Sequence, residues 1–125
     1  MKRPVRVLIA DDKWVTRQGI RALLSQLAQV EVVGEATDGQ ESVDMVSSCH
    51  PDVVLLDVQM PILDGLEATR CIKSRWPDVR VIILTMYARY HTRAFAAGAD
   101  AFLLKGCTTE ELQKAILGSD YHAMS

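Results

Sequence analysis

Five side chains in this sequence are of the types that phosphoryl chemistry requires: the adjacent carboxylates Asp11 and Asp12, a third carboxylate Asp57, the hydroxyl of Thr85 and the ammonium of Lys105. Three carboxylates brought together repel, so a divalent cation, a raised pKa or both must relieve the charge. Hard oxygen ligands of this kind favour Mg²⁺, which keeps several waters and takes only one or two carboxylates directly. Such a cation neutralises an incoming phosphoryl oxygen while a carboxylate attacks phosphorus. Lys105 would add positive charge on the same oxygens, and Thr85 a hydrogen-bond donor. Asp57 is the expected nucleophile, with the other acids on one side of it and Thr85 and Lys105 on the other. Taken singly, each residue is ordinary: acids often cap helices, Thr is a good strand former, and lysines usually end strands in solvent. Their weight comes from being delivered to one place.

The delivery depends on five short apolar runs: Val5 to Ala10, Val30 to Ala36, Val53 to Leu56, Val79 to Leu84 and Ala101 to Leu104. Rich in Val, Ile and Leu without polar alternation, most of them read as strands buried on both faces. The second is more mixed and is expected nearer an edge. Between them, Val15 to Leu27, Glu41 to Cys49, Gly65 to Arg75 and Tyr90 to Ala97 carry helical patterning, with Pro77 and Gly98 as stops. Asp38 and Thr108 each stand three residues before a glutamate, the pattern of a helix start, and mark the second and fifth helices. Five βα units predict an α/β, flavodoxin-like doubly wound (βα)5 fold with a parallel sheet in the order 2-1-3-4-5. Ligands of such sheets bind beyond the carboxyl ends of the strands, where Asp11, Asp12, Asp57, Thr85 and Lys105 all fall.

These residues, in this order, resemble a known family. Val7-Leu8-Ile9-Ala10-Asp11-Asp12, Asp57-Val58-Gln59-Met60-Pro61, Asp64-Gly65, Leu84-Thr85 and Gly98-Ala99-Asp100-Ala101-Phe102-Leu103-Leu104-Lys105 are similar to the receiver domain of two-component response regulators. Arg17-Gln18-Gly19, Val33-Gly34-Glu35-Ala36 and the stretch from Gly98 to Lys105 further resemble the NarL/FixJ-type subgroup. The resemblance implies that Asp57 accepts a phosphoryl group from a cognate sensor histidine kinase. It implies Mg²⁺ held by Asp12, Asp57 and the backbone carbonyl of Gln59, with Asp11 acting through water. Thr85 and Lys105 would contact the phosphoryl group, and Phe102 matches the family's switch aromatic, its alternative role being plain strand core. The resemblance also implies a domain that catalyses only its own phosphorylation and dephosphorylation, a switch rather than an enzyme. Gln59 and Tyr87 occupy positions that tune phosphoryl lifetime in the family, and a bulky Tyr87 would slow hydrolysis.

Several positions depart from the common pattern. Gly106 stands where a proline often follows the lysine. Lys13 either screens the acids and weakens Mg²⁺ or, as expected here, points outward. Trp14 either covers the pocket or packs on the first helix. Ala94, Ala97 and Ala101 with Tyr90 form either a docking surface or part of the interior.

The chain's 125 residues, 49% of them hydrophobic, suit one domain, expected over 1–118, with 119–125 a tail or the start of a linker to an output domain. A formal charge of −2 gives no excess of positive charge for a phosphate backbone. DNA is expected as a partner only through a helix-turn-helix domain outside this chain, and transcriptional control with it; homodimerisation on phosphorylation is possible in the family. The first apolar run is too short for a signal core or a membrane span, which predicts a cytoplasmic protein. Cys49, Cys71 and Cys107, and His50, His91 and His122, show no metal or disulfide spacing. A phosphatase with an aspartyl nucleophile would need a second aspartate at position 59, and a flavin carrier would be repelled by three acids at its phosphate site.

Overall fold

The computed structural model describes residues 3–118. Its elements run β1 (Val5–Ala10), α1 (Trp14–Ser25), β2 (Val30–Ala36), α2 (Gly39–Cys49), β3 (Val53–Leu56), α3 (Gly65–Arg75), β4 (Arg80–Thr85), a 3₁₀ turn (Ala88–Tyr90), α4 (His91–Ala96), β5 (Ala101–Leu104) and α5 (Thr109–Leu117). All strand pairs are parallel, in the order β2-β1-β3-β4-β5. This is the expected flavodoxin-like sheet, with the mixed second strand at an edge.

Alternation along each strand divides the core in two. Leu8, Val54, Leu56, Val81 and Ile83 face α2, α3 and α4, meeting Val43, Val46, Ala68 and Ile72. Val7, Ile9, Leu55, Ile82 and Leu84 face α1 and α5, meeting Ile20, Leu24, Leu112 and Ile116. Each fully buried Val, Ile or Leu contributes about 1.5–3 kcal/mol, so the three central strands form a stiff platform for the loops at their ends.

Helix starts follow from short polar side chains. Asp38 and Asp64 accept hydrogen bonds from Glu41 N (2.7 Å) and Glu67 N (2.9 Å). Thr108 and Glu111 close a reciprocal capping box at α5. At α2 the reciprocal half is displaced: the Glu41 carboxylate accepts from Thr37 N at 2.7 Å. Gly98, at φ +106, turns the chain after α4 as expected.

Some boundaries differ from the sequence reading. Helix α1 starts at Trp14 and ends at Ser25, short of Leu27, and α2 starts at Gly39. Strand β4 is shifted one residue, because pairing with β3 begins at Arg80, whose main-chain N donates to Asp52 O at 3.0 Å, while pairing with β5 carries it on to Thr85. Tyr90 belongs to the 3₁₀ turn, and only His91–Ala96 is α-helical in the fourth segment. Ala94, Ala97 and Tyr90 are buried and Ala101 half-buried, so they pack inside the fold rather than forming a docking face. The expected tail at 119–125 and His122 lie outside the described residues. Among the described residues, no helix is long and apolar enough to cross a membrane.

Candidate functional site

Main-chain bonds continue the sheet into its loops, joining the end of β1 to that of β2, β3 to β1 and β5 to β4. Asp11 N donates to Ala36 O (3.1 Å), Asp57 N to Ala10 O (3.0 Å) and Lys105 N to Thr85 O (2.8 Å). Asp57 and Asp11 are almost wholly buried, at 4% and 1% exposure, while Asp12 is open to solvent. Carboxylate oxygens of Asp11, Asp12 and Asp57 all lie within 4.8 Å of one another.

Lys105 ties the cluster together. Its Nζ donates to Asp11 Oδ2 at 2.7 Å and to Asp57 Oδ2 at 3.2 Å. The remaining oxygens are also used, Asp11 Oδ1 accepting from Lys13 N and Asp57 Oδ1 from Val58 N, each at 2.8 Å. Burial pushes the Asp57 carboxyl above the usual carboxylate range; Lys105 holds it part of the way back, and the Asp11 charge raises it further. A carboxylate so placed is short of positive charge. Three hard oxygen donors at this spacing fit Mg²⁺, with Asp12 on the solvent side to admit it.

Lys13 does not point outward. Its Nζ lies 3.5 Å from Asp12 Oδ1 and 3.8 Å from Asp57 Oδ2, drawn in by the combined field of the acids although the side chain is 59% exposed. Burial draws its pKa down, but Asp12, Asp57 and Asp11 outweigh this and hold it above the usual lysine value. Trp14 is mostly exposed and is not among the residues lining the cleft beside Asp12.

The other expected residues surround this cluster. Thr85 is buried, its Oγ1 accepting from Tyr87 N at 3.4 Å. Gln59 lines a cleft of about 470 Å³ together with Asp12, Asp64, Tyr90 and Arg93. Phe102 is half-buried against the α2–α4 core, its ring 5.1 Å from that of His91. Tyr87 stands half-exposed, with the Arg89 guanidinium 4.3 Å from its ring centre. No cis peptide occurs among the described residues, and Gly106 has φ +94. Proline, fixed near about −65°, could not take this conformation, so the glycine at 106 goes with a different turn.

Sequence reasoning did not single out three supporting features. Buried Arg17 donates to Asp11 O (2.8 Å) and to Glu35 Oε1 (3.1 Å), fastening the acidic loop to β2; Gln18 and Arg21 bind the same glutamate. Charges 18 residues apart carry no local signal of pairing. Tyr90 accepts from Gln59 Nε2 at 3.1 Å. At Gly65 a Cβ would fall 1.9 Å from Asp57 O, so only glycine lets α3 approach the Asp57 backbone; the Asp64-Gly65 pair was the available signal.

Known proteins are similar to this chain in sequence and fold. The chain is 40% identical over 114 residues to the response regulator GacA of Pseudomonas viridiflava, covering 90% of this chain and 53% of that protein. It is 35% identical to the transcriptional regulatory protein DegU of Brevibacillus brevis, covering 90% and 48%. The chain thus spans about half the length of these curated relatives. The signal receiver domain of the putative response regulator NarL from Mycobacterium tuberculosis superposes with a TM-score of 0.88 at 35% identity, covering 95% of this chain and 98% of that one. The family model for the response regulator receiver domain matches residues 7–117, and the chain belongs to that family.

Proposed function

We propose that this domain is a phosphorylation switch in which Asp57 takes a phosphoryl group from a phosphohistidine of a sensor histidine kinase. The observation that carries the reading is the lysine clamp: Lys105 Nζ reaches both Asp11 and Asp57 within hydrogen-bond distance at the carboxyl edge of the sheet. An Asp57 carboxylate oxygen attacks phosphorus, the P–N bond breaks, and its electron pair stays on the departing imidazole. Lys105 moves from the carboxylates to a phosphoryl oxygen, and Thr85 donates its hydroxyl to another. Mg²⁺, held by Asp12, Asp57 and the Gln59 carbonyl with Asp11 acting through water, would supply the charge neutralisation that three acids and a phosphoryl group require.

Once phosphorylated, Asp57 draws Thr85 inward, and the half-buried Phe102 ring follows into the space it leaves. We take 1–118 as the switch domain and 119–125 as a tail or linker start. The reading extends to regulation of transcription through a DNA-binding output domain, which the description of DegU as a transcriptional regulatory protein supports, and with it to dimerisation on phosphorylation and a cytoplasmic setting.

The test is incubation with acetyl phosphate, with and without Mg²⁺, followed by intact mass and peptide mapping. A Mg²⁺-dependent gain of one phosphoryl group on Asp57, absent from Asp57→Ala, is expected. Label on that variant would overturn the site. No label on folded protein, from acetyl phosphate or from a kinase, would leave a binding module that works without phosphorylation.

A further inference from the structure

Gln59 is exposed, stands two residues beyond the nucleophile and lines the same cleft as Asp12. Its carboxamide carries both a donor and an acceptor, the pair needed to orient a water between itself and a phosphoryl oxygen. In this structure the carboxamide is committed elsewhere, donating from Nε2 to Tyr90 Oη at 3.1 Å. Tyr90 is a fixed partner. Its ring is 9% exposed and stands edge-on to Tyr87, with centroids 6.2 Å apart. The guanidinium groups of Arg89 and Arg93 lie 4.9 and 4.7 Å from its centre, and Arg89 also donates to Oη at 3.4 Å. The hydroxyl is therefore held by packing, whereas the glutamine is free to follow it. The bond joins the loop after β3 to the turn before α4, 31 residues apart in sequence.

We infer that Tyr90 is a positioning residue for the phosphoacceptor site: it holds the Gln59 carboxamide against the α4 turn, away from the water that attacks the aspartyl phosphate, and so lengthens the life of the phosphoryl group. The inference rests on the phosphorylation proposed above. In hydrolysis a water oxygen bonds to phosphorus as the bond from phosphorus to the Asp57 oxygen breaks. Asp57 leaves as the carboxylate with the electron pair, and the water's proton goes to solvent. A released Gln59 would accept a hydrogen bond from that water and donate one to the phosphoryl oxygen, favouring the aligned attack.

The experiment compares phosphoryl decay at Asp57, after loading with acetyl phosphate and Mg²⁺ and rapid removal of donor, in the wild type, Tyr90→Phe, Gln59→Ala and the double variant. Phenylalanine keeps the buried ring and removes only the hydroxyl. Tyr90→Phe is expected to shorten the lifetime about two- to tenfold, the factor that one lost hydrogen bond corresponds to. In the Gln59→Ala background the same change is expected to have no effect. The Gln59 side-chain amide resonances should also shift in unphosphorylated Tyr90→Phe. An unchanged or longer lifetime overturns the inference, as does an equal shortening without Gln59, since a merely structural role would act whatever stands at position 59. Absence of label from every variant and from the wild type instead overturns the phosphorylation on which the inference rests.

Discussion

Aspartates stand at both ends of this sheet, and the two ends treat them in opposite ways. Asp52 and Asp100 precede β3 and β5, and each closes a neighbouring strand. Asp52 Oδ2 accepts from Arg6 N at 2.8 Å while Arg3 grips both carboxylate oxygens, at 2.7 and 2.9 Å. Asp100 Oδ2 accepts from Val81 N at 2.8 Å and from Lys73 Nζ at 2.9 Å. Burial alone would raise Asp52, but the Arg3 and Arg6 bonds and charges outweigh it and hold its carboxyl below the usual range. Asp11 and Asp57 follow β1 and β3 instead. There burial and a neighbouring like charge outweigh the lysine, and Asp57 is pushed up. The same side chain stabilises one edge and, buried beside a like charge, is held at a cost at the other although its oxygens are hydrogen-bonded.

The largest change expected from testing this contrast is at Gly65. Gly65→Ala must displace the Asp57 main chain, costing about 3 kcal/mol or more in urea unfolding and removing phosphoryl uptake. Asp52→Ala should cost about 1–2 kcal/mol through the lost strand-closing bond, with uptake at the wild-type rate; impaired uptake would show that the two ends are coupled. A smaller effect, of opposite sign, is expected at Ile62, a β-branched residue with φ +70 in the loop beyond Asp57. With the side chain 81% exposed, Ile62→Gly gives up little packing and should gain about 1 kcal/mol by removing backbone strain. An unchanged or lowered stability would remove strain from the list of costs at this edge.

The smallest effect, and the sharpest for the comparison, is the pH dependence without divalent cations. The stabilisation associated with Asp57, raised on folding, is full below about 3.9 and is lost as pH rises through its folded value. Asp57→Asn should therefore melt higher than wild type at neutral pH, with the gap closing in acid. Asp52 behaves in reverse: its stabilisation is present above about 3.9 and is lost as pH falls through its lowered folded value. The Asp52→Ala deficit should accordingly be full at neutral pH and shrink in acid. Melting curves in which both gaps have the same sign at neutral pH would break the contrast.

Much of this was legible in sequence because the strands announce themselves. Val7 to Ala10, Val53 to Leu56 and Val81 to Leu84 are unbroken apolar runs, and the residues that follow them had to meet at one edge once the strand order was assigned. The bounds of β4 were read one residue early at both ends, because Val79 extends the apolar run and Thr85 reads as the residue after it, whereas the strand is Arg80–Thr85. Lys13 was misread because an isolated lysine ordinarily extends into water, and only the assembled field of three carboxylates turns it inward. Arg17 and Glu35 stood out only as marks of the subgroup and Tyr90 only as a candidate surface residue; their pairings were missed because the partners are separated by whole elements, which leaves no periodic trace in one sequence.

The positive φ at Gly106 bears on how such domains are recombined. A hybrid that placed proline there by a single exchange would force an incompatible torsion into the segment joining Lys105 to α5. That segment also contains the Cys107 N to Leu104 O bond at 3.1 Å and leads directly into the α5 capping box. Lys105 through Glu111 is thus one exchangeable cassette, and crossover points for chimeric regulators belong on either side of it, not within it.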